Sequence, residues 1–379
     1  MGDNGVTFDF KSLGRQFRIA GDFVAAAPYG SGHINDTFAA VYDQGGTEVR
    51  YIHQRVNHHV FPDVPGLMDN ISRVTAHLRH QLTAVGADQI SRRALTIVPT
   101  CDGATYHRDA AGNFWRTYIF IEKAKTYDII ETTRQAYEAA KAFGAFQRDL
   151  ADLPGARLHE IIPGFHHTRQ RFQALQQAIA ADSCNRAAHV VDEIAFAEAH
   201  EPMVDVLLDL QAAGDLPERT THNDTKLNNV MIDDATGRGI CVIDLDTVMP
   251  GLSLYDFGDM VRTAARPTAE DETDLCKVVV RTDMFGALAR GYLEAAGEFL
   301  VPAEIDHLVF SGQLISLEIG LRFLTDYLEG DRYFKTRRPG HNLDRCRTQF
   351  AMVRSIREHE EVLQGYIDRL TKPCGGCGD

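Results

Sequence analysis

Over its first third the chain alternates apolar and polar positions in short runs. Residues 37–43, 48–56, 94–99 and 115–121 carry the two-residue period and the β-branched and aromatic content of half-buried strands. Gly45-Gly46 and Ala111-Gly112-Asn113 separate some of these runs with turn residues suited to antiparallel hairpins. Between the second and third runs, Leu67, Ile71, Val74, Leu78 and Leu82 recur at helical spacing. The pattern predicts a small antiparallel sheet carrying one packed helix.

From Thr132 onward the period lengthens. Ala136, Ala140, Phe143 and Phe146 open a helical region, and residues 305–328 and 343–370 continue in the same manner. One exception interrupts the helices: residues 228–234 and 239–244 read as a short hairpin joined by Ala235-Thr236-Gly237-Arg238. The expected organisation is α+β, with an amino-terminal lobe over 1–123 and a larger, mainly helical lobe over 124–379. No internal repeat or low-complexity stretch modifies it.

Composition narrows the partners. Thirty-nine basic and fifty-three acidic side chains give a formal charge of −14, which disfavours nucleic acid and anionic membrane surfaces. The amino terminus lacks the basic-then-apolar pattern of a secretion signal, and no apolar run reads as a bilayer span, so a cytoplasmic location is expected. Seven cysteines stand singly except for Cys374 and Cys377, and reduced thiols in an unstructured tail are expected there.

The densest polar cluster is THNDTKLNNVMIDDATGRGICVIDLDTVMPGLSLYDFGD, from Thr221 to Asp259. His222 and Asp224 begin a loop, Asn229 follows five residues after that Asp, and Asp244 ends the next apolar strand. This is the spacing of a kinase catalytic loop followed by a metal-binding acid. Phosphoryl transfer from ATP concentrates charge on non-bridging oxygens, so Mg²⁺ needs hard oxygen ligands, which Asn229 and Asp244 supply. Asp224 is then available to orient the attacking hydroxyl and take its proton. His222 is expected to hold the loop, Asp246 to touch metal or substrate, and Asp256 and Asp259 to cap helices or brace the loop.

Upstream, YGSGHINDTFAAVY places Gly30 and Gly32 before a strand, where backbone N–H groups can approach phosphate. The following strand ends in RYIHQRVNHHVF, with Arg55 the nearest cation to the nucleotide phosphates. The next helix reads LMDNISRV and offers no Glu partner for it. His53, His58 and His59 read as a polar strand end, and Arg322 with Asp326 as either a solvated helical pair or a substrate wall.

Along most of its length the sequence resembles the bacterial N-acetylhexosamine 1-kinases, a branch of the aminoglycoside phosphotransferase and choline kinase superfamily. The resemblance rests on YGSGHINDTF, IHQRVNHHVFPDVPGLMDNI, IPGFHHT, HNDTKLNNVMID, VIDLDTVMPGLSLYDFGDMVR, RFLTDYLEGDRYFK and HNLDRCRTQ. It implies a bilobal protein kinase-like fold and ATP- and Mg²⁺-dependent phosphorylation of the anomeric hydroxyl of a small-molecule sugar. By similarity Asp224 is the base, Asn229 and Asp244 are metal ligands, His33 and Arg322 touch the sugar, and Lys226 is a second candidate for the phosphate cation. Two alternatives stand beside it: an aminoglycoside or amino-alcohol kinase, and a nucleotide-binding module without turnover.

Overall fold

The computed structural model describes residues 8–30, 32 and 34–371. Two compact units are present. The first comprises the described residues of Met1–Ala124 with Asp152–Ile162 and Cys241–Asp246; the second comprises Lys125–Ala151, Pro163–Ile240 and the described residues of Thr247–Asp379. Cys374 and Cys377 lie outside the described residues, as does His33.

Unit one is built on an antiparallel sheet of five strands: β1 (Asp22–Pro28), β2 (Asp36–Asp43), β3 (Glu48–Val56), β4 (His107–Arg108) and β5 (Phe114–Ile119), in the order β1-β2-β3-β5-β4. Gly45 and Gly46 turn β2 into β3 at φ +69° and +86°, a conformation that only residues without Cβ adopt cheaply. The two-residue period divides β3 and β5 between two faces. On one face Trp115, Phe17, Leu13 and Val98 form a core, and His53 is buried between the Tyr42 hydroxyl (2.9 Å) and Thr117 Oγ1 (2.8 Å). Gln54 and Arg116 belong to the other face, where Arg116 Nη1 lies 3.9 Å from Met68 Sδ of the Val64–Ala84 helix. That helix starts on Asp63, whose carboxylate accepts from Gly66 N, and buries Leu67, Met68, Ile71 and Val74.

Residues 94–99, expected as a strand, only lie along β5. Val98 N donates to Thr117 O (2.8 Å) and Ile119 N to Thr96 O (3.0 Å), and Ile97 and Tyr118 form an isolated bridge.

Unit two is mainly helical. The Thr133–Asp149 helix packs on Thr282–Ala296 through two glycines: a Cβ on Gly291 would fall 2.1 Å from Tyr137 O, and one on Gly144 2.8 Å from Tyr292 O. At the centre runs Leu308–Glu329, whose Leu317, Leu321, Leu324 and Leu328 are buried with Phe172, Val190 and Phe350. By length and composition this helix could span a bilayer, which the sequence reading did not expect. Its burial within the unit instead identifies it as a core helix. Two expected continuous helices are each broken, at His307 and at His359, into Pro302–Asp306 and Leu308–Glu329, and into His341–Glu358 and Glu360–Thr371.

Candidate active site

In unit two, the short antiparallel pair Arg219–Thr221 and Met249–Gly251 presents the loop that follows Thr221. Asp256, on the Ser253–Ala264 helix, accepts from both His222 N (2.9 Å) and Asn223 N (2.7 Å), and its own carbonyl accepts from Thr225 Oγ1 (2.6 Å). Thr247 Oγ1 donates to His222 O (2.7 Å), and Asn223 Nδ2 to Thr247 O (2.9 Å). Thus clamped, Asn223 adopts φ +65° and the chain turns sharply into Asp224. The His222 ring sits edge-to-face on Phe143 and Phe146, and its Nδ1 accepts from Asp224 N (3.3 Å). That bond requires an unprotonated Nδ1, so His222 holds the loop as expected.

Asp224 pairs with Lys226 Nζ at 2.9 Å. Burial opposes its charge, but the Lys226 ammonium holds the carboxyl below its ordinary value, so it is ionised at neutral pH. Asn229 Nδ2 donates to Asp224 O (2.8 Å), and no described residue donates to its Oδ1. The amide therefore keeps its carbonyl oxygen for an outside ligand.

A second polar cluster in the same unit was only partly foreseen. His166 is buried, with Nε2 donating to Asn223 O (3.1 Å) and Nδ1 facing Glu318 Oε1 (2.9 Å). Burial works against the charged imidazole, yet the Glu318 carboxylate outweighs it and raises the His166 pKa. One helical turn from Glu318, Arg322 Nη1 stands 4.0 Å from the same oxygen, and its guanidinium lies over Phe165, Tyr333 and Phe334 at 5.2 to 5.9 Å. Asp326 does not pair with Arg322; it accepts from the backbone of Arg332, Tyr333 and Phe334 and shapes that turn.

Unit one carries the acidic stretch. Asp244 is exposed and adopts φ +58°, an uncommon conformation for a residue with a Cβ. Asp246 is buried and ion-paired with Arg116 at 2.5 Å, and its other oxygen accepts from Asn35 Nδ2 (2.6 Å). Oδ2 is thus taken by Asn35, while Oδ1 faces the guanidinium without a hydrogen-bond donor among the described residues, so Asp246 sits in an internal ion pair. Gly30 takes φ +82°, and a Cβ on either Gly30 or Gly32 would meet nothing within 4 Å. Arg55, expected to face phosphate, lies on the opposite sheet face from Gln54. It pairs with Asp36 and reaches Asn113 Oδ1 (3.3 Å). The buried cation on the Gln54 face is Arg116, which sequence reasoning missed although a lone Arg inside WRTYIF is a visible break in an apolar strand.

Among the described residues no group of three or more His, Cys, Asp or Glu could hold a metal ion. In unit two Asn229 offers an amide oxygen, and in unit one Asp244 offers a carboxylate, each a hard donor of the kind Mg²⁺ takes.

A family model described as "APH: Phosphotransferase enzyme family" matches residues 25–299. Among solved structures, the fold resembles an aminoglycoside phosphotransferase from Alicyclobacillus acidocaldarius (12% identity, 97% of this chain and 99% of that chain covered, TM-score 0.61). It also resembles a choline kinase from Cryptosporidium parvum (15% identity, 94% and 96% covered, TM-score 0.54). A choline/ethanolamine kinase family protein from Mesorhizobium loti is similar too (16% identity, 91% and 93% covered, TM-score 0.51). At these identities the likeness is one of fold, and the fold is the kinase-like α+β architecture.

Proposed function

We propose, from the premise that the chain belongs to the APH phosphotransferase enzyme family, that it transfers the terminal phosphoryl group of ATP to the anomeric hydroxyl of an N-acetylhexosamine. The observation that carries this reading is the clamped loop around Asp224, an ionised carboxylate fixed by Asp256, Thr247, His222 and Asn229. In the proposed reaction Asp224 orients the acceptor hydroxyl and takes its proton as the new P–O bond forms. The β,γ bond breaks and ADP leaves. Asn229 and Asp244 hold Mg²⁺, which supplies positive charge to the phosphate oxygens when bound. Gly30 and Gly32 lie along the phosphates, and Lys226 steadies the ionised Asp224 and offers a cation to the transferred group. Arg322 and His33 contact the sugar.

Charge supports this acceptor class. His166, Arg171 and Arg322 gather around the single Glu318 carboxylate, a surrounding that favours a neutral, hydroxyl-rich acceptor over the cationic ones of choline or aminoglycoside kinases. Glu318 is itself held ionised by its cations despite burial.

A panel of N-acetylglucosamine, N-acetylgalactosamine, choline and aminoglycosides, assayed for ADP release with ³¹P and ¹H NMR of the product, tests the proposal. Phosphate on the anomeric oxygen of either sugar is the expected product. Turnover of the cationic acceptors alone, or phosphate on another sugar hydroxyl, refutes it. Asp224→Asn is expected to lower kcat by about 10²–10⁴-fold while ADP affinity stays within a few-fold; undiminished turnover would remove Asp224 from the chemistry.

A further inference from the structure

We propose that Arg116 is a positioning residue for the nucleotide's metal: its guanidinium fixes Asp246, and through that residue both the Asp244 stretch and residues 34 and 35 at the entry to β2. The inference rests on the reading that Asp244 serves a metal-bound nucleotide.

Register places Gln54 of β3 directly beside Arg116 of β5. Gln54 Oε1 accepts from Arg116 Nε (2.8 Å) and Nη2 (2.6 Å), and Gln54 Nε2 donates to Thr37 Oγ1 on β2 (2.9 Å). A neutral amide thus sets the plane of the guanidinium, and Asp246 meets its charge at 2.5 Å. Both partners of the ion pair are nearly inaccessible, with side-chain exposures of 1% and 4%.

Asp246 passes the constraint on. Its second oxygen accepts from Asn35 Nδ2 (2.6 Å), Asn35 Oδ1 accepts from Asn57 N (2.9 Å), and Asn57 Nδ2 donates to Ile34 O (3.2 Å). Residues 34 and 35 directly precede β2, so one network ties the entry of that strand to the acidic stretch. Asp244 stands two residues before Asp246, in a left-handed conformation that needs its flank held, and it lies within electrostatic reach of the same guanidinium.

A well-packed apolar pair of equal volume would stabilise the sheet as well as a buried ion pair does. What the charged pair adds is placement: with Nε and Nη2 held by Gln54 Oε1, only Nη1 is left to draw Asp246 Oδ1 toward one position. Lysine in its place keeps the charge but cannot span Gln54 and Asp246 together.

The test compares wild type, Arg116→Lys and the double variant Arg116→Met with Asp246→Asn, which leaves no unpaired buried charge. ADP binding is measured calorimetrically with and without Mg²⁺, and folding by urea titration. The expected result is that Mg²⁺ tightens ADP binding in wild type and that Arg116→Lys loses about tenfold or more of that tightening, with Mg²⁺-free ADP affinity within about twofold. The double variant should regain urea resistance without regaining the Mg²⁺ increment. A double variant that recovers both, or an Arg116→Lys protein with an unchanged increment, assigns the pair to stability alone and overturns the proposal. A wild-type protein whose ADP binding ignores Mg²⁺ would instead overturn the underlying reading of Asp244, and this proposal with it.

Discussion

Asp256 shows how much of the candidate site depends on a residue that touches no substrate in the proposed reaction. Its carboxylate takes three N–H donors, from His222, Asn223 and the Gln147 side chain, while wholly buried. Burial pushes its pKa up, and the donors oppose that shift. Asparagine would keep one acceptor oxygen and turn an NH₂ toward another donor. Asp256→Asn should therefore cost about 1–3 kcal/mol in urea unfolding and lower kcat more than it alters KM for the nucleotide, because the loop rather than the nucleotide loses its support. The spacing of His222, Asp224, Asn229 and Asp244 was legible because short-range spacing survives in sequence. The partner of Asp246 was not, because Arg116 lies 130 residues earlier and meets it only through register in the sheet. Arg55 illustrates the same limit: one position along β3 exchanges one sheet face for the other.

At the level of elements, two helix crossings depend on glycine for a reason that periodicity conceals. A Cβ at Gly258 would lie 2.4 Å from Ser311 O, and one at Gly291 2.1 Å from Tyr137 O, and in both cases the obstacle is backbone. Gly258→Ala and Gly291→Ala should each destabilise by about 1–3 kcal/mol or more, as overpacking does. Gly365, in the Glu360–Thr371 helix, would meet only the flexible tip of Arg369 at 3.4 Å. Gly365→Ala should therefore be neutral or stabilise by up to about 1 kcal/mol through helix propensity. Circular dichroism melts of the three variants provide the check, and equal shifts would contradict the packing argument. Helical stretches were readable from their apolar period, whereas β1 was not: DFVAAAP is small-sided and largely exposed, so no alternation marks it. The breaks at His307 and His359 likewise carry no Pro or Gly signal.

A boundary near residue 123 is where the hydrophobic period changes, and unit one additionally takes in two later segments. Residues 152–162 join unit one through contacts such as the reciprocal Asn70–His159 bonds (2.8 Å each), and 241–246 through Arg116. Unit one buries His53 and unit two buries His166, and these two shift in opposite directions. His53, in unit one, is held neutral by burial, its pKa lowered to about 4. Between pH 6.5 and about 4 the unfolded chain binds a proton that the folded unit refuses, so stability falls as pH drops through that window, by roughly 3 kcal/mol at most. His166, in unit two, has a raised pKa. Its contribution is complete below pH 6.5 and is lost as pH rises through the folded value. The probes separate the two cases. The single tryptophan, Trp115, is buried in the core of unit one, while the long helices that dominate circular dichroism belong to unit two. Urea midpoints followed by tryptophan fluorescence should fall from pH 6.5 to 4.5, and His53→Gln should flatten that fall. Midpoints followed at 222 nm should decline instead on the alkaline side, and His166→Gln should remove that decline. Parallel pH profiles from the two probes, or an unaltered acid slope in His53→Gln, would contradict the assignment of these charges.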